Sequence, residues 1–127
     1  MEQETIMHAA AIEEEAQGLE ENLQLVMTQI AELENFKESL EFLGKSREKE
    51  ILSSLGKRVY MKSKIEDREK LFVEVGAGVV VRKTPEDTIG IVKEQILRLQ
   101  EARVQISAML EIYQKELENF MNAMKRE

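Results

Sequence analysis

Lys70-Leu71-Phe72-Val73-Glu74-Val75-Gly76-Ala77-Gly78-Val79-Val80-Val81-Arg82-Lys83-Thr84-Pro85 is the stretch that decides how the rest of the chain is read. Leu71, Val73 and Val75 alternate with Phe72 and Glu74, and Val79 and Val81 follow a glycine-bounded break. A period of two marks a β-strand, whose side chains point to opposite faces in turn. Gly76-Ala77-Gly78 supplies the positive-φ freedom that a tight hairpin turn needs. Thr84 then reads as a helix N-cap, with Pro85 at the first helical position and Glu86 and Asp87 in the first turn.

Upstream, the same period appears again. Val59, Met61 and Ile65 alternate with Tyr60, Lys62 and Lys64, and Glu66 to Lys70 is a polar turn. Ile51 to Leu55, ending at Gly56, reads as the first of about four strands, and Gly44 to Glu50 as the polar connection before it. On either side the period changes to alternating threes and fours. Ala9, Ile12, Ala16, Leu19, Leu23, Val26, Ile30, Leu33, Lys37 and Leu40 form one series, broken only by Lys37. Ile89, Val92, Ile96, Leu99, Arg103, Ile106, Leu110, Tyr113, Leu117, Phe120 and Met124 form the other, broken only by Arg103. Sustained heptads specify helices that supercoil on a partner. Glu41–Lys45, Glu94–Arg98 and Glu111–Lys115 add i,i+4 pairs in the favourable order, each worth only about 0.2–0.5 kcal/mol.

The expected fold class is α+β, mostly α: a long antiparallel two-helix coiled coil with two central β-hairpins. It is read as a single domain over 1–127, with helix over 1–44, hairpins over 51–83 and helix over 85–127. Helices of about 40 residues span about 60 Å. The expected register sets Leu40 beside the start of the second series, Leu23 near Ile106, and Ala9 near Phe120 and Met121. Both termini then meet at one end and the strands lie at the other. Four short apolar strands cannot cover their own edges, and open edges pair with other chains. The hairpins are therefore expected to build an oligomerisation platform through Val59, Met61, Ile65, Leu71, Val73, Val75, Gly76, Gly78, Val79 and Val81, with Phe36, Phe42 and Leu43 packing helix against sheet.

Composition narrows the function. The 127 residues hold 18 Lys and Arg against 25 Asp and Glu, a net charge of −7. Binding nucleic acid needs a basic face, and Lys57-Arg58 and Arg82-Lys83 are too short to supply one. Zero cysteines exclude disulfides and thiol chemistry. The acidic N-terminus does not read as a secretory signal. The longest apolar run, Val75 to Val81, falls far short of the roughly 20 residues that span a membrane, so a cytoplasmic chain is expected. His8 is the single histidine, and the neighbours in Glu13-Glu14-Glu15 point in different directions on a helix. Gly76-Ala77-Gly78 precedes a strand where a dinucleotide site needs a helix, and no phosphate-binding lysine loop exists. No metal, no cofactor and no enzymatic activity are expected.

The terminal end is different. Met1, Ile6, Met7, Ile12, Phe120, Met121 and Met124 collect there, including four of the seven methionines. The simple explanation is a coiled-coil end that continues the heptad. The functional one is an adaptable apolar contact surface, for which flexible, polarizable Met is suited. Ile6, Met7, Ile12, Phe120, Met121 and Met124 are the candidate contact residues.

Leu55-Gly56-Lys57-Arg58-Val59-Tyr60-Met61-Lys62, with Lys70 to Thr84, resembles the archaeal prefoldin alpha class in its Gly-flanked strands, its Val-Gly-x-Gly turn and the strand leading to the second helix. Ser53-Ser54 stands where that family often has proline. Four strands fit the alpha class, since the beta class has one hairpin. The resemblance implies a hexamer of two alpha and four beta subunits on a double β-barrel platform. It further implies ATP-independent capture of unfolded client proteins at the coiled-coil tips and their delivery to a group II chaperonin. The alternative is a structural coiled-coil scaffold or tether without client capture, which explains the heptads and leaves the hairpins unexplained.

Overall fold

The computed structural model describes residues 2–45, 49–66 and 70–126. The chain runs α1 (Glu2–Lys45), β1 (Glu50–Gly56), β2 (Val59–Lys64), β3 (Leu71–Gly76), β4 (Val79–Lys83) and α2 (Pro85–Lys125). The expected class holds: two long helices with two antiparallel hairpins between them in sequence. The polar turn expected from Glu66 to Lys70 falls largely outside the described residues. The chain divides into two compact units, one of Met1–Glu32 with Ile96–Glu127 and one of Leu33–Gln95.

In the helical unit, two contacts set direction and register. The His8 and Phe120 rings meet edge to face, centroids 5.5 Å apart at 77°. One turn pair further along, the Tyr113 hydroxyl donates to the Glu15 carboxylate. Moving up one helix moves down the other, so the pairing is antiparallel and close to the register expected from the heptads. Ile12, Ala16, Ile96 and Leu110 are buried along the seam, and Leu19, Leu23, Val26, Ile30, Leu99, Ile106 and Leu117 are half-buried. Arg103 departs from expectation. It is exposed, and Ala102 takes the half-buried position between Leu99 and Ile106. The local spacing is three then four rather than four then three, which spares the guanidinium a desolvation cost and costs only a smaller side chain in the seam.

In the other unit, Leu40 and Val92 are the best buried aliphatic side chains, at 5% and 3% exposure, with Pro85 and Thr88 also buried. Thr84 caps α2: its Oγ1 accepts from the Asp87 backbone N–H at 3.1 Å, and its carbonyl accepts from the Thr88 N–H at 3.1 Å and hydroxyl at 2.9 Å. Lys37, the break in the first heptad series, is half-buried and reaches Glu34 at 3.2 Å. Its stem is partly covered while the ammonium stays paired and wet.

The strands form two separate two-stranded sheets, β1–β2 (hairpin 1) and β3–β4 (hairpin 2). Both are built the same way. A register shift falls between Ser54 and Gly56 in one and between Glu74 and Gly76 in the other, and Gly56 pairs with Val59 as Gly76 pairs with Val79. The bulge glycines sit at φ +103° and +131°, where a Cβ is strained. Two residues of positive φ then close each turn: Lys57 (+48°) and Arg58 (+66°), or Ala77 (+50°) and Gly78 (+77°). This is the type I′ geometry that matches strand twist and favours Asn-Gly. Non-glycine residues pay roughly 1–2 kcal/mol each for the left-handed region.

Two substitution pairs check this account. Lys57→Asn with Arg58→Gly stabilises hairpin 1 by about 1–2 kcal/mol, read as slower hydrogen exchange of its amides. Arg103→Ala shifts stability in urea melts by less than about 0.5 kcal/mol, whereas Ala102→Arg costs about 1–3 kcal/mol.

Candidate interaction surfaces

Each unit exposes an apolar surface of its own. In the helical unit, antiparallel pairing sets the start of α1 beside the end of α2. Met7 (71% exposed), Met121 (61%), Ile6 and Met124 stand open there. The other two candidates are placed differently. Ile12 is buried in the seam at 5% exposure, and Phe120 is half-buried against His8. Both occupy heptad positions, where the facing helix covers them. Ile6, Met7 and Met121 fall between the heptad positions and turn away from the facing helix, and Met124, a heptad position near the end of α2, is left exposed. His8 therefore acts as a packing partner for Phe120 at the mouth of the seam.

On hairpin 1, the register puts Ile51, Ser53, Val59, Met61 and Ser63 on one face, with Ile65 continuing it through its backbone bond to the Lys49 carbonyl at 2.7 Å. On hairpin 2, Leu71, Val73, Val81 and Lys83 share a face. Leu43, Ile51, Ser53, Ser63, Ile65 and Leu71 line a common cleft together with Lys64, Glu66, Lys70 and Phe72, so these faces turn partly inward. Ile65, Leu71 and Val73 are half-buried, whereas Val59, Met61, Val75, Val79 and Val81 remain exposed, as do the turn glycines Gly76 and Gly78.

The reverse faces are also apolar, which the alternation alone did not single out. Leu52 and Tyr60 on hairpin 1, and Phe72 and Val80 on hairpin 2, are each more than half exposed. The signal was present in Val79-Val80-Val81, a run apolar in both phases, which is the mark of a strand covered on both sides. Each hairpin pairs only with itself among the described residues, so both of its outer edges keep free backbone donors and acceptors. Along α2, Leu97, Val104 and Ile112 form a further exposed stripe away from the seam.

Nothing among the described residues gathers three or more His, Cys, Asp or Glu side chains for a metal ion. No helix among them is long and apolar enough to cross a membrane. Among the described residues, the one ionisable group displaced from its ordinary range is Tyr113. Its hydrogen bond to Glu15 comes first among the causes, then the negative charge of Glu15, and together they hold the phenol above the usual 10.0. The folded state thus retains this proton longer than the unfolded chain. The stability it contributes is full below about pH 10 and is lost as pH rises through the folded-state value.

The Prefoldin family model, described as a prefoldin subunit, matches residues 12–127. The prefoldin subunit alpha 1 of Thermococcus kodakarensis is 36% identical over 86 residues, covering 67% of this chain and 59% of that protein. The prefoldin subunit alpha of Archaeoglobus fulgidus is 29% identical over 110 residues, covering 86% of this chain and 80% of that protein. This chain thus spans about three fifths of the first relative and four fifths of the second. A filamentous PFD from Methanocaldococcus jannaschii, solved by cryo-EM, shares the fold with a TM-score of 0.76 at 19% identity, over 90% of this chain and 95% of that one.

A near-UV titration in a Tyr60→Phe background checks the Tyr113 contact. The phenol is expected to titrate above 10.0, and Glu15→Gln to move it back toward that value. Alkaline melts should show the matching loss of stability in the parent and a weaker one in Tyr113→Phe.

Proposed function

This chain belongs to the prefoldin family, whose members are chaperones and not enzymes, and from that premise we propose that it is one subunit of an ATP-independent chaperone assembly. In this reading the two hairpins join those of other prefoldin subunits in a shared platform, two copies of this chain with four beta subunits. The assembly works in the cytoplasm, captures unfolded proteins at its helix tips and passes them to a group II chaperonin.

The observation that carries the reading is the open methionine and isoleucine cluster at the terminal end of the helical unit. An unfolded chain exposes apolar side chains without a fixed pattern. Met7, Met121 and Met124, each on three rotatable bonds, adapt to such a target where branched side chains resist. A partly buried Met or Ile contributes about 1–2 kcal/mol at most. One tip alone holds a client weakly. Several tips on one platform hold it by effective concentration, and each contact stays weak enough to release. The open edges and two apolar faces of each hairpin support the platform half of the proposal, since a monomer gains nothing from them.

Native mass measurement of the complex recovered with the tagged chain is the direct check on the platform. Two copies with four of a smaller helical partner are expected, and a stable homodimer without partner would return the scaffold alternative. For the tips, serine at Met7, Met121 and Met124 in the assembled complex should reduce suppression of client aggregation by about tenfold or more, with helical content and subunit ratio unchanged.

A further inference from the structure

The two hairpins make one turn with two different sets of residues. Gly56-Lys57-Arg58-Val59 and Gly76-Ala77-Gly78-Val79 share the bulge, the closing pair and two successive positive φ angles. Hairpin 2 relieves the second of these positions with Gly78, while Ala77 bears the same cost at the first as Lys57 does. Hairpin 1 places two long cationic side chains there and relieves neither. Strain of this kind persists where the residues serve something besides the turn. What sets Lys57 and Arg58 apart from Ala77 and Gly78 is charge.

The rest of hairpin 1 follows the same sign. Glu50 to Lys64 holds four cations and one acid, in a chain whose net charge is −7. Leu71 to Lys83 holds two cations and one acid. In the β1–β2 register Glu50 stands opposite Lys64, which leaves Lys62 opposite Leu52, and Lys57 and Arg58 at the tip, with no acidic cross-strand neighbour. All four cations are exposed, and among the described residues none forms an ion pair. Lys62 and Lys64 share their face with the exposed Leu52 and Tyr60. An apolar centre with a charged rim is the anatomy of a protein interface. Lysines that merely guard a strand edge account for Lys62 and Lys64. They do not account for the strained pair at the tip, where Asn-Gly closes the same turn without charge.

We propose that hairpin 1 is the arm that selects the partner. Its Leu52–Tyr60 face, rimmed by Lys57, Arg58, Lys62 and Lys64, takes a strand-bearing subunit whose rim is acidic and disfavours a second copy of hairpin 1. This rests on the assembly reading above and adds the chemistry of the partner. Opposite charges across the contact steer association and fix register, and like charges directly opposite are penalised. Hairpin 2, with its neutral tip, carries no such preference.

The test recovers the complex with the tagged full chain and measures partner subunits per chain by native mass. Lys57→Glu, Arg58→Glu, Lys62→Glu and Lys64→Glu together should lower partner recovery about tenfold or more. Arg82→Glu with Lys83→Glu on hairpin 2 should lower it less than about twofold. Circular dichroism and hydrogen exchange of the β1–β2 amides establish that each variant is folded. If the fourfold variant does not fold, the parent chain decides the matter. Raising salt from about 0.1 M to about 1 M, which shortens the Debye length from roughly 10 Å to roughly 3 Å, should slow partner association about tenfold or more. Full partner recovery by the folded fourfold variant, or association indifferent to salt, overturns the charge selection and leaves the assembly reading standing. A parent chain that recovers no partner at all overturns the assembly reading, and the selection with it.

Discussion

A two-stranded antiparallel sheet satisfies only half of its backbone groups. Each outer edge keeps a row of donors and acceptors, and each face keeps a row of side chains. In this chain both hairpins are of that kind, and both faces of each carry apolar residues. Isolated hairpins are marginal in water, so the turns must supply what a wider sheet supplies elsewhere. The bulge glycines Gly56 and Gly76 and the positive-φ pairs after them meet that demand, fixing register where neighbouring strands do not. The apolar reverse faces set by Leu52, Tyr60, Phe72 and Val80 are then a standing liability for a monomer and a ready contact for an oligomer.

The helices face a related constraint. Two helices bury one narrow seam, and a seam without a third element has no depth to spare. Among the described residues no side chain is fully buried, and the best covered positions retain a few per cent exposure. In the other unit the half-buried Lys37 is tolerated because its ammonium escapes to Glu34, and the seam accepts the small side chains of Ala16 and Ala102. It excludes Arg103, whose guanidinium has no such exit into a paired position. A side chain between heptad positions turns away from the seam however apolar it is. That is why Met7 and Met121 are exposed while Ile12, a few residues inward at a heptad position, is not.

Much of this was legible in the chain. The alternation around Val73 and Val81, the capping signature at Thr84-Pro85 and the two heptad series each report a local geometry, and local geometry is what residue spacing encodes. The antiparallel register was legible too, because helices of similar length joined by a returning segment have few ways to pair, and His8–Phe120 and Glu15–Tyr113 follow from it. The candidate surfaces were legible only in outline. Spacing grouped Ile12 and Phe120 with the open tip residues because all are apolar and adjacent in register. It could not separate those that a facing helix covers from those it does not.

The sequence by itself determined element type, order and pairing direction, since period, capping and glycine placement act within a few residues of where they stand. Three matters were decided only by tertiary structure. Ala102 displaced Arg103 in the seam, because helix phase is set by packing along the whole contact and not by a strict count of sevens. Lys57 and Arg58 took left-handed conformations that their own preferences oppose, because the strands on either side close the turn that way. And the division of apolar residues into covered and open ones appeared only once two helices and two hairpins had used up the neighbours available to them.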